Sequence, residues 1–269
     1  MFEGAVKTGY TEVNGLNLYW EMRGSGHPLI LLHGGLGSTD MVRSVAETLA
    51  QSRVVVSVDL QAHGRTADID RPLSFESMAD DLAALAKSLG FDKIDLMGYS
   101  LGAGVCLWTA IRHPELVRKL IVVSIAFQLN GWFPEVVAMI KNMSGAQTER
   151  MKPSRIYQTY AAVAPKPENF PTLLDKVAAL IGQDYDWSNE IACIKAQTML
   201  VFADADSVRP AHIIRFLELL GGGSKDGGWD GSGMSNARLA LLPGLTHYNM
   251  ITSPLLCSVV LPFLDAPMS

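Results

Sequence analysis

A chain of 269 residues, 48% of them hydrophobic, can bury one substantial core, and that length is ordinary for a single α/β domain. The formal net charge of -5 leaves no basic block to neutralise phosphates, which argues against a nucleic-acid or anionic-membrane partner and makes a small molecule the expected one. Cys106, Cys193 and Cys257 are an odd number at wide spacings, so they form neither a disulfide framework nor a zinc pattern.

Met1-Phe2-Glu3-Gly4-Ala5-Val6-Lys7 has neither a basic leader nor an apolar run, and no stretch reaches the roughly 18 apolar residues of a spanning helix; a soluble, cytoplasmic protein is expected. Residues 11–23 place Asn14-Gly15 between two runs, with Leu16, Leu18 and Trp20 alternating against Asn17 and Tyr19, which predicts a β-hairpin and a sheet that begins antiparallel. Pro28-Leu29-Ile30-Leu31-Leu32 then reads as a strand covered on both faces, ending in the glycine-rich His33-Gly34-Gly35-Leu36-Gly37. Thr39 or Asp40 is expected to cap a helix running to about Ala50, and Arg53-Val54-Val55-Val56-Ser57-Val58 gives another strand, ending at Asp59. Ser74 caps a helix whose apolar positions Phe75, Met78, Ala79, Leu82, Leu85, Ala86 and Leu89 follow the 3.6-residue period and stop at Gly90.

Next comes Lys93-Ile94-Asp95-Leu96-Met97, a short strand, then Gly98-Tyr99-Ser100-Leu101-Gly102, then a helix built on Val105, Leu107, Trp108 and Ile111 and closed by His113-Pro114. After the strand Leu120-Ile121-Val122-Val123 the rhythm is lost over residues 127–187, which carry Trp132, Phe133, Met139, Tyr157, Tyr160, Phe170, Tyr185 and Trp187; a lid over a pocket is the natural reading. Most of these side chains should form the lid's own small core, while Trp132, Met139 and Tyr160, with Leu36 from the glycine loop, are the candidates to line a substrate pocket. Thr198-Met199-Leu200-Val201-Phe202-Ala203 returns to strand and Pro210 starts a helix. Residues 221–236, with seven glycines, read as a surface excursion anchored by Trp229; Asp226 and Asp230 lack the ordered oxygen ligands of a calcium loop, so no metal is expected. Leu239-Ala240-Leu241-Leu242 makes the last strand, Pro243-Gly244-Leu245-Thr246-His247 a loop, and residues 254–264 a closing helix.

A serine hydroxyl is a poor nucleophile until a base takes its proton, so it must be presented where a histidine and a substrate both reach it. A Gly-x-Ser-x-Gly turn between strand and helix does this, and its glycines are needed because side chains there would strike neighbouring backbone. Ser100, an aspartate after Ala203 and His247 all fall at carboxyl ends of expected parallel strands, where open α/β sheets place their sites. His247 would act as general base and an aspartate would fix its tautomer. Asp206, just ahead of a helix, is favoured for that role over Asp204, which can hold the loop instead. The amides of Leu101 and Gly35 are the obvious oxyanion donors, with Leu36 the fallback for the second, and losing one would cost about 3 kcal/mol of transition-state stabilisation. His33 reads as a structural hydrogen-bonder of the glycine loop.

These motifs, His33-Gly34-Gly35, Asp59-Leu60-Gln61-Ala62-His63-Gly64-Arg65, the turn at Ser100, His113-Pro114-Glu115, Asp206 through Pro210, and Pro243-Gly244 ahead of His247-Tyr248, resemble the α/β-hydrolase superfamily over nearly the whole chain. Gln61 and the glycine-rich insert look like a bacterial branch of small serine esterases, some of whose relatives open N-acyl homoserine lactones. The resemblance implies a mostly parallel eight-stranded sheet with helices on both faces, a core of residues 1–126 and 188–269, a helical cap inserted as residues 127–187, and no cofactor. It implies the chain order Ser100, Asp206, His247 for the catalytic residues. In some relatives the acid follows the sixth strand instead, but Ser124-Ile125-Ala126 stand there and that acid position is empty. Epoxide hydrolases and haloalkane dehalogenases of this fold use an aspartate where Ser100 stands, and proline iminopeptidases carry tryptophan where Leu101 stands. The expected activity is hydrolysis of small to medium carboxylic esters, with a lactonase using the same residues as the alternative and a non-catalytic ligand receptor as the distant one. The expected partner is an ester or lactone, and a homodimer is left open.

Overall fold

The chain enters its sheet through the hairpin that Asn14-Gly15 encodes. In the computed structural model, which describes residues 4–268, β1 (Lys7–Val13) and β2 (Leu16–Arg23) pair antiparallel with Val13 opposite Leu16. Asn14 and Gly15 hold φ of 49° and 80°, as a tight two-residue hairpin turn requires. The remaining strands are β3 (His27–Leu32), β4 (Arg53–Val58), β5 (Ile94–Tyr99), β6 (Val117–Val123), β7 (Gln197–Ala205) and β8 (Ala237–Thr246). They form one eight-stranded sheet in the order β1-β2-β4-β3-β5-β6-β7-β8, antiparallel through β2 and β4 and parallel thereafter.

The helices are α1 (Arg43–Leu49), α2 (Phe75–Ser88), α3 (Leu101–Arg112), α4 (Pro134–Lys141), α5 (Thr148–Met151), α6 (Arg155–Val163), α7 (Phe170–Ile181), α8 (Ser188–Ile191), α9 (Pro210–Leu219) and α10 (Pro254–Asp265). Because successive strand side chains point to opposite faces, β3 serves two cores. Ile30 and Leu32 pack with α2, α3 and α9, whereas Leu29 and Leu31 pack with α1 and α10. The stripe on α2 is buried as its period predicts, and Ser74 Oγ accepts from the Ser77 amide at 3.0 Å. On the second face Lys119, fully buried in β6, donates to the carbonyls of Phe263 (2.8 Å) and Leu264 (3.0 Å), capping the end of α10.

Four local expectations change. Tyr19 is buried although the alternation turned it outward, because the segment after β4 folds over it: Thr66 Oγ1 accepts its amide and the Arg65 guanidinium lies over its ring. Ser38, not Thr39 or Asp40, caps the turn before α1, since the Thr39 amide is taken by Asp59 Oδ1 at 2.6 Å. Strand β8 continues through Pro243 to Thr246 where a loop was expected; it is an edge strand, where a missing N–H is tolerated. Its pairing shifts register between Ala203 and Ala205, and there Asp204 accepts the amides of Gly244 (3.0 Å) and Leu245 (3.2 Å) in place of a carbonyl.

Trp229 is the fourth and a correction. It is 110% exposed and anchors nothing. The excursion 221–236 closes on its own backbone instead: Gly233 donates to the Gly227 carbonyl at 3.0 Å, and Asp226 and Asp230 each turn back to an amide two residues on, at Gly228 and Ser232. Among the described residues no helix is long and apolar enough to cross a membrane.

Residues 127–187 leave and re-enter the sheet at one place. Trp187 donates to the Phe127 carbonyl at 3.0 Å, Leu129 donates to the Tyr185 carbonyl at 3.2 Å, and Gln128 bridges Asp186. His212 of α9 stacks on Phe127 with ring centroids 3.9 Å apart and accepts its amide at 3.1 Å. Between these ends lie α4 to α7, and Lys176 of α7 reaches down to Asp68 (2.7 Å) and the carbonyls of Ile69 and Arg71 (both 2.9 Å).

Candidate active site

Ser100 joins β5 to α3 with φ 52° and ψ -120°, a backbone conformation costing on the order of 1–3 kcal/mol for a side-chain-bearing residue. The neighbours hold it there: its amide donates to the Val123 carbonyl at 2.8 Å, and its own carbonyl accepts from Ala103 (2.8 Å) and Gly104 (3.2 Å). A Cβ at Gly98 would lie 2.3 Å from the Gly102 carbonyl oxygen, and one at Gly102 would lie 2.4 Å from that of His33. Both contacts are to backbone, so only glycine lets strand, turn and helix close this tightly. The Ser100 side chain makes no capping bond to α3.

The Leu101 amide opens α3, where helix N–H groups have no intrahelical partner. Among the described residues neither it nor the Gly35 amide donates to a backbone carbonyl. Gly34 to Gly37 form a turn closed by a 3.1 Å bond, with Leu36 at φ 60°. A Cβ at Gly35 would meet Leu101 Cδ1 at 3.5 Å and Val177 Cγ1 at 3.8 Å, so the loop lies between the start of α3 and helix α7. His33 fixes it from below: Nδ1 lies 2.7 Å from the Gly34 carbonyl, and Nε2 accepts the Leu60 amide at 3.2 Å. Burial pulls the His33 pKa down to about 4, so the ring is neutral and has no free nitrogen for acid–base work. Asp59 supports the same loop; burial pushes its pKa up to about 6 against the amides of Arg65 and Thr39, which stabilise its charge.

His247 follows β8 directly and is buried. Its carbonyl accepts Tyr99 Oη at 2.6 Å, and its ring is flanked by Tyr99 (5.2 Å between centroids), Trp132 (5.6 Å, edge-on) and Tyr248 (5.3 Å). Nδ1 lies 3.4 Å from Asp206 Oδ1. Ser124 Oγ stands beside both, 2.7 Å from Asp206 Oδ1 and 2.7 Å from His247 Nδ1. Asp206 is buried and also accepts the amides of Ala203 (3.0 Å) and Val208 (3.2 Å). Burial opposes its ionisation, but His247, the Ala203 amide and Ser124 together hold its carboxyl below the usual carboxylate range.

This arrangement sits in a fold with known kin. A family model described as alpha/beta hydrolase fold matches residues 27–158, and the structure of an E-2-(acetamidomethylene)succinate hydrolase superposes with a TM-score of 0.77 at 16% identity, covering 97% of this chain and 100% of that one. The chain belongs to the α/β-hydrolase superfamily. This α/β-hydrolase is 34% identical over 123 residues to sn-1-specific diacylglycerol lipase ABHD11 of Danio rerio, 45% of this chain and 38% of that protein. It is 32% identical over 136 residues to a soluble epoxide hydrolase of Corynebacterium sp., 48% of this chain and 46% of that protein. The matched stretch is thus less than half the length of these curated relatives.

In this α/β-hydrolase the residues singled out for a pocket are not all placed alike. Trp132 is buried against His247, its Nε1 donating to Tyr185 Oη at 2.9 Å, and Leu36 packs half-buried on the core. Tyr160 is buried on Phe170 and borders a cleft of about 60 Å³ shared with Thr66, Asp68 and Lys166, which includes neither Ser100 nor His247. Met139 is 51% exposed. Two contributors carry little signal in the sequence: Val177, which only the periodicity of α7 places on the inner face, and Ser124, which carries no carboxylate. Among the described residues no three His, Cys, Asp or Glu side chains gather as a metal site.

Proposed function

We propose that the chain is a serine hydrolase of carboxylic esters with small to medium acyl chains, with Ser100 as nucleophile, His247 as general base and Asp206 as the acid that orients it. The observation that carries this reading is the engagement of His247 Nδ1 on its acid side by Asp206 and Ser124, which leaves Nε2 as the basic nitrogen. Ser100 Oγ attacks the ester carbonyl as His247 Nε2 takes its proton. The oxyanion is met by the Leu101 and Gly35 amides, and the leaving alkoxide takes the proton back from His247. Water then repeats the cycle on the acyl-enzyme and releases the acid. Leu36 and Trp132 would flank the acyl chain.

The diacylglycerol lipase relative supports the ester class. The epoxide hydrolase relative differs where it matters, since the resemblance places an aspartate nucleophile in such enzymes and Ser100 stands here. A lactone is an internal ester whose leaving alkoxide stays tethered, so the same residues serve it. The test is kcat/KM for p-nitrophenyl octanoate beside N-octanoyl homoserine lactone, with Ser100→Ala as the blank. Ser100→Ala should lose roughly 10⁴-fold or more in turnover with an unchanged melting curve. Wild-type turnover in that variant sinks the reading. A lactone value at or above the ester's makes lactone opening the working activity.

A further inference from the structure

Ser124 is the first residue beyond β6. It is fully buried, and its backbone adopts φ 54°, in the left-handed region that favours glycine. Its amide still donates to the Val201 carbonyl at 3.0 Å, so the ladder to β7 stays closed while the side chain turns into the site. There Oγ is 2.7 Å from Asp206 Oδ1 and 2.7 Å from His247 Nδ1, whereas those two atoms are 3.4 Å apart. At that separation the direct bond between acid and base is weak, and the hydroxyl supplies two good ones in its place.

The direction of those bonds follows from proton count. An ionised carboxylate only accepts, so the Ser124 proton goes to Asp206 Oδ1. The oxygen is then an acceptor toward Nδ1, which must carry hydrogen. Asp206 is not free to close the gap, because Oδ2 holds the Ala203 amide and Oδ1 the Val208 amide. We propose that Ser124 is a positioning residue that carries the link between Asp206 and His247 and fixes the Nδ1–H tautomer of the base. The proposal rests on the reading of Ser100, His247 and Asp206 as the catalytic residues. No proton crosses Ser124 during turnover: when Nε2 takes the Ser100 proton, Nδ1–H stays in place, and the hydroxyl passes the attraction of the imidazolium to the carboxylate.

Ser124→Gly is the informative variant, because glycine accepts φ 54° and so removes the hydroxyl without straining the backbone; Ser124→Ala is its companion. Ionisable groups around His247 are Asp206, Tyr99 and Tyr248, and all three remain. Both variants should lower kcat for a short p-nitrophenyl ester at least tenfold with KM little changed. The acid limb of the kcat/KM profile should move to lower pH, since the imidazolium loses its partner, and the low-field proton resonance of His247 Nδ1–H should shift or vanish. Wild-type kcat, acid limb and resonance in a folded Ser124→Gly protein overturn the proposal and leave a direct Asp206 contact sufficient. Ser100→Ala separates the two readings: if it is dead while Ser124→Gly is unaffected, only the role of Ser124 falls, and if it stays active the catalytic assignment itself falls.

Discussion

The tips of β5 to β8 and the helical segment above them are built on different principles. At the tips nearly every position is forced by backbone: Gly98 and Gly102 exclude any Cβ, Ser100 is held by the Val123 carbonyl, and Asp206 is pinned by two amides. Residues 127–187 are closed at their base by two hydrogen bonds and a bridge of their own, tied to the stretch ahead of α9 by the Phe133 amide on the Ser207 carbonyl (3.0 Å) and the Arg209 amide on the Gly131 carbonyl (2.9 Å), packed through Trp187 edge-on against Phe75 (4.8 Å), and latched by Lys176 to Asp68. The first region cannot yield locally without losing its geometry, whereas the second can change side chains and keep its place. On the proposed function, chemistry rests on the first, and selection among substrates can vary in the second.

Four measurements press on that contrast, beginning with the largest effect. Gly102→Ala should cost about 3 kcal/mol in a urea melt and at least tenfold in turnover, because its Cβ meets the His33 carbonyl and Leu32 Cβ, neither of which a rotamer change can move. A neutral outcome would make the strand tips as compliant as the segment above. Acidification comes next. The folded-state pKa values of His33, His63 and His212, about 4, 3 and 4, are depressed by burial from the ordinary 6.5, so as pH falls below 6.5 the unfolded chain takes up three protons that the native one refuses. Asp59, raised to about 6, takes up one in the native state between pH 6 and 4 and offsets part of this. Stability should therefore fall by about 2.5 kcal/mol per pH unit between pH 6 and 5. Two of the three histidines lie under the glycine loop, so His212→Gln, at the base of the segment, should remove only roughly a third of the histidine contribution.

Lys176→Met should cost about 1 kcal/mol or slightly more, since its partners are half-buried, and should change KM for medium-chain esters a few-fold while leaving kcat for an acetate ester alone. A kcat effect on the acetate as large as that on KM would mean that the latch reaches the chemistry. Trp229→Ala should move neither kcat/KM nor stability beyond about 0.5 kcal/mol, as expected of a ring that touches nothing.

The same contrast explains what could be read from the residues. Asn14-Gly15 and the glycines around Ser100 announce themselves because few residue types satisfy their backbone geometry. The α2 stripe does so because its period is long and unbroken. Ser124 gives no such signal: its place depends on a positive φ at a serine and on three strand ends meeting, none of which a local pattern encodes. Pro243 argued for a loop until β8 proved to be an edge strand with Asp204 standing in for a carbonyl. Residue type alone points Trp229 to a packing role, yet a chain so rich in glycine turns closes on itself before a ring can find a wall. Tyr19 goes inside because Arg65 and Thr66, far along the chain, cover it.

The narrow base of residues 127–187 has a consequence for how such a molecule can diverge. Phe127 and Trp187 are hydrogen-bonded neighbours and Phe133 is tied to Ser207, so the chain between Phe133 and Trp187 leaves and returns close to one place; doubling its length adds only about 0.6 kcal/mol of closure entropy. The helices beyond Phe133 can therefore be lengthened, deleted or traded as a cassette between scaffolds, with the strand tips and the Trp132 ring against His247 inherited intact.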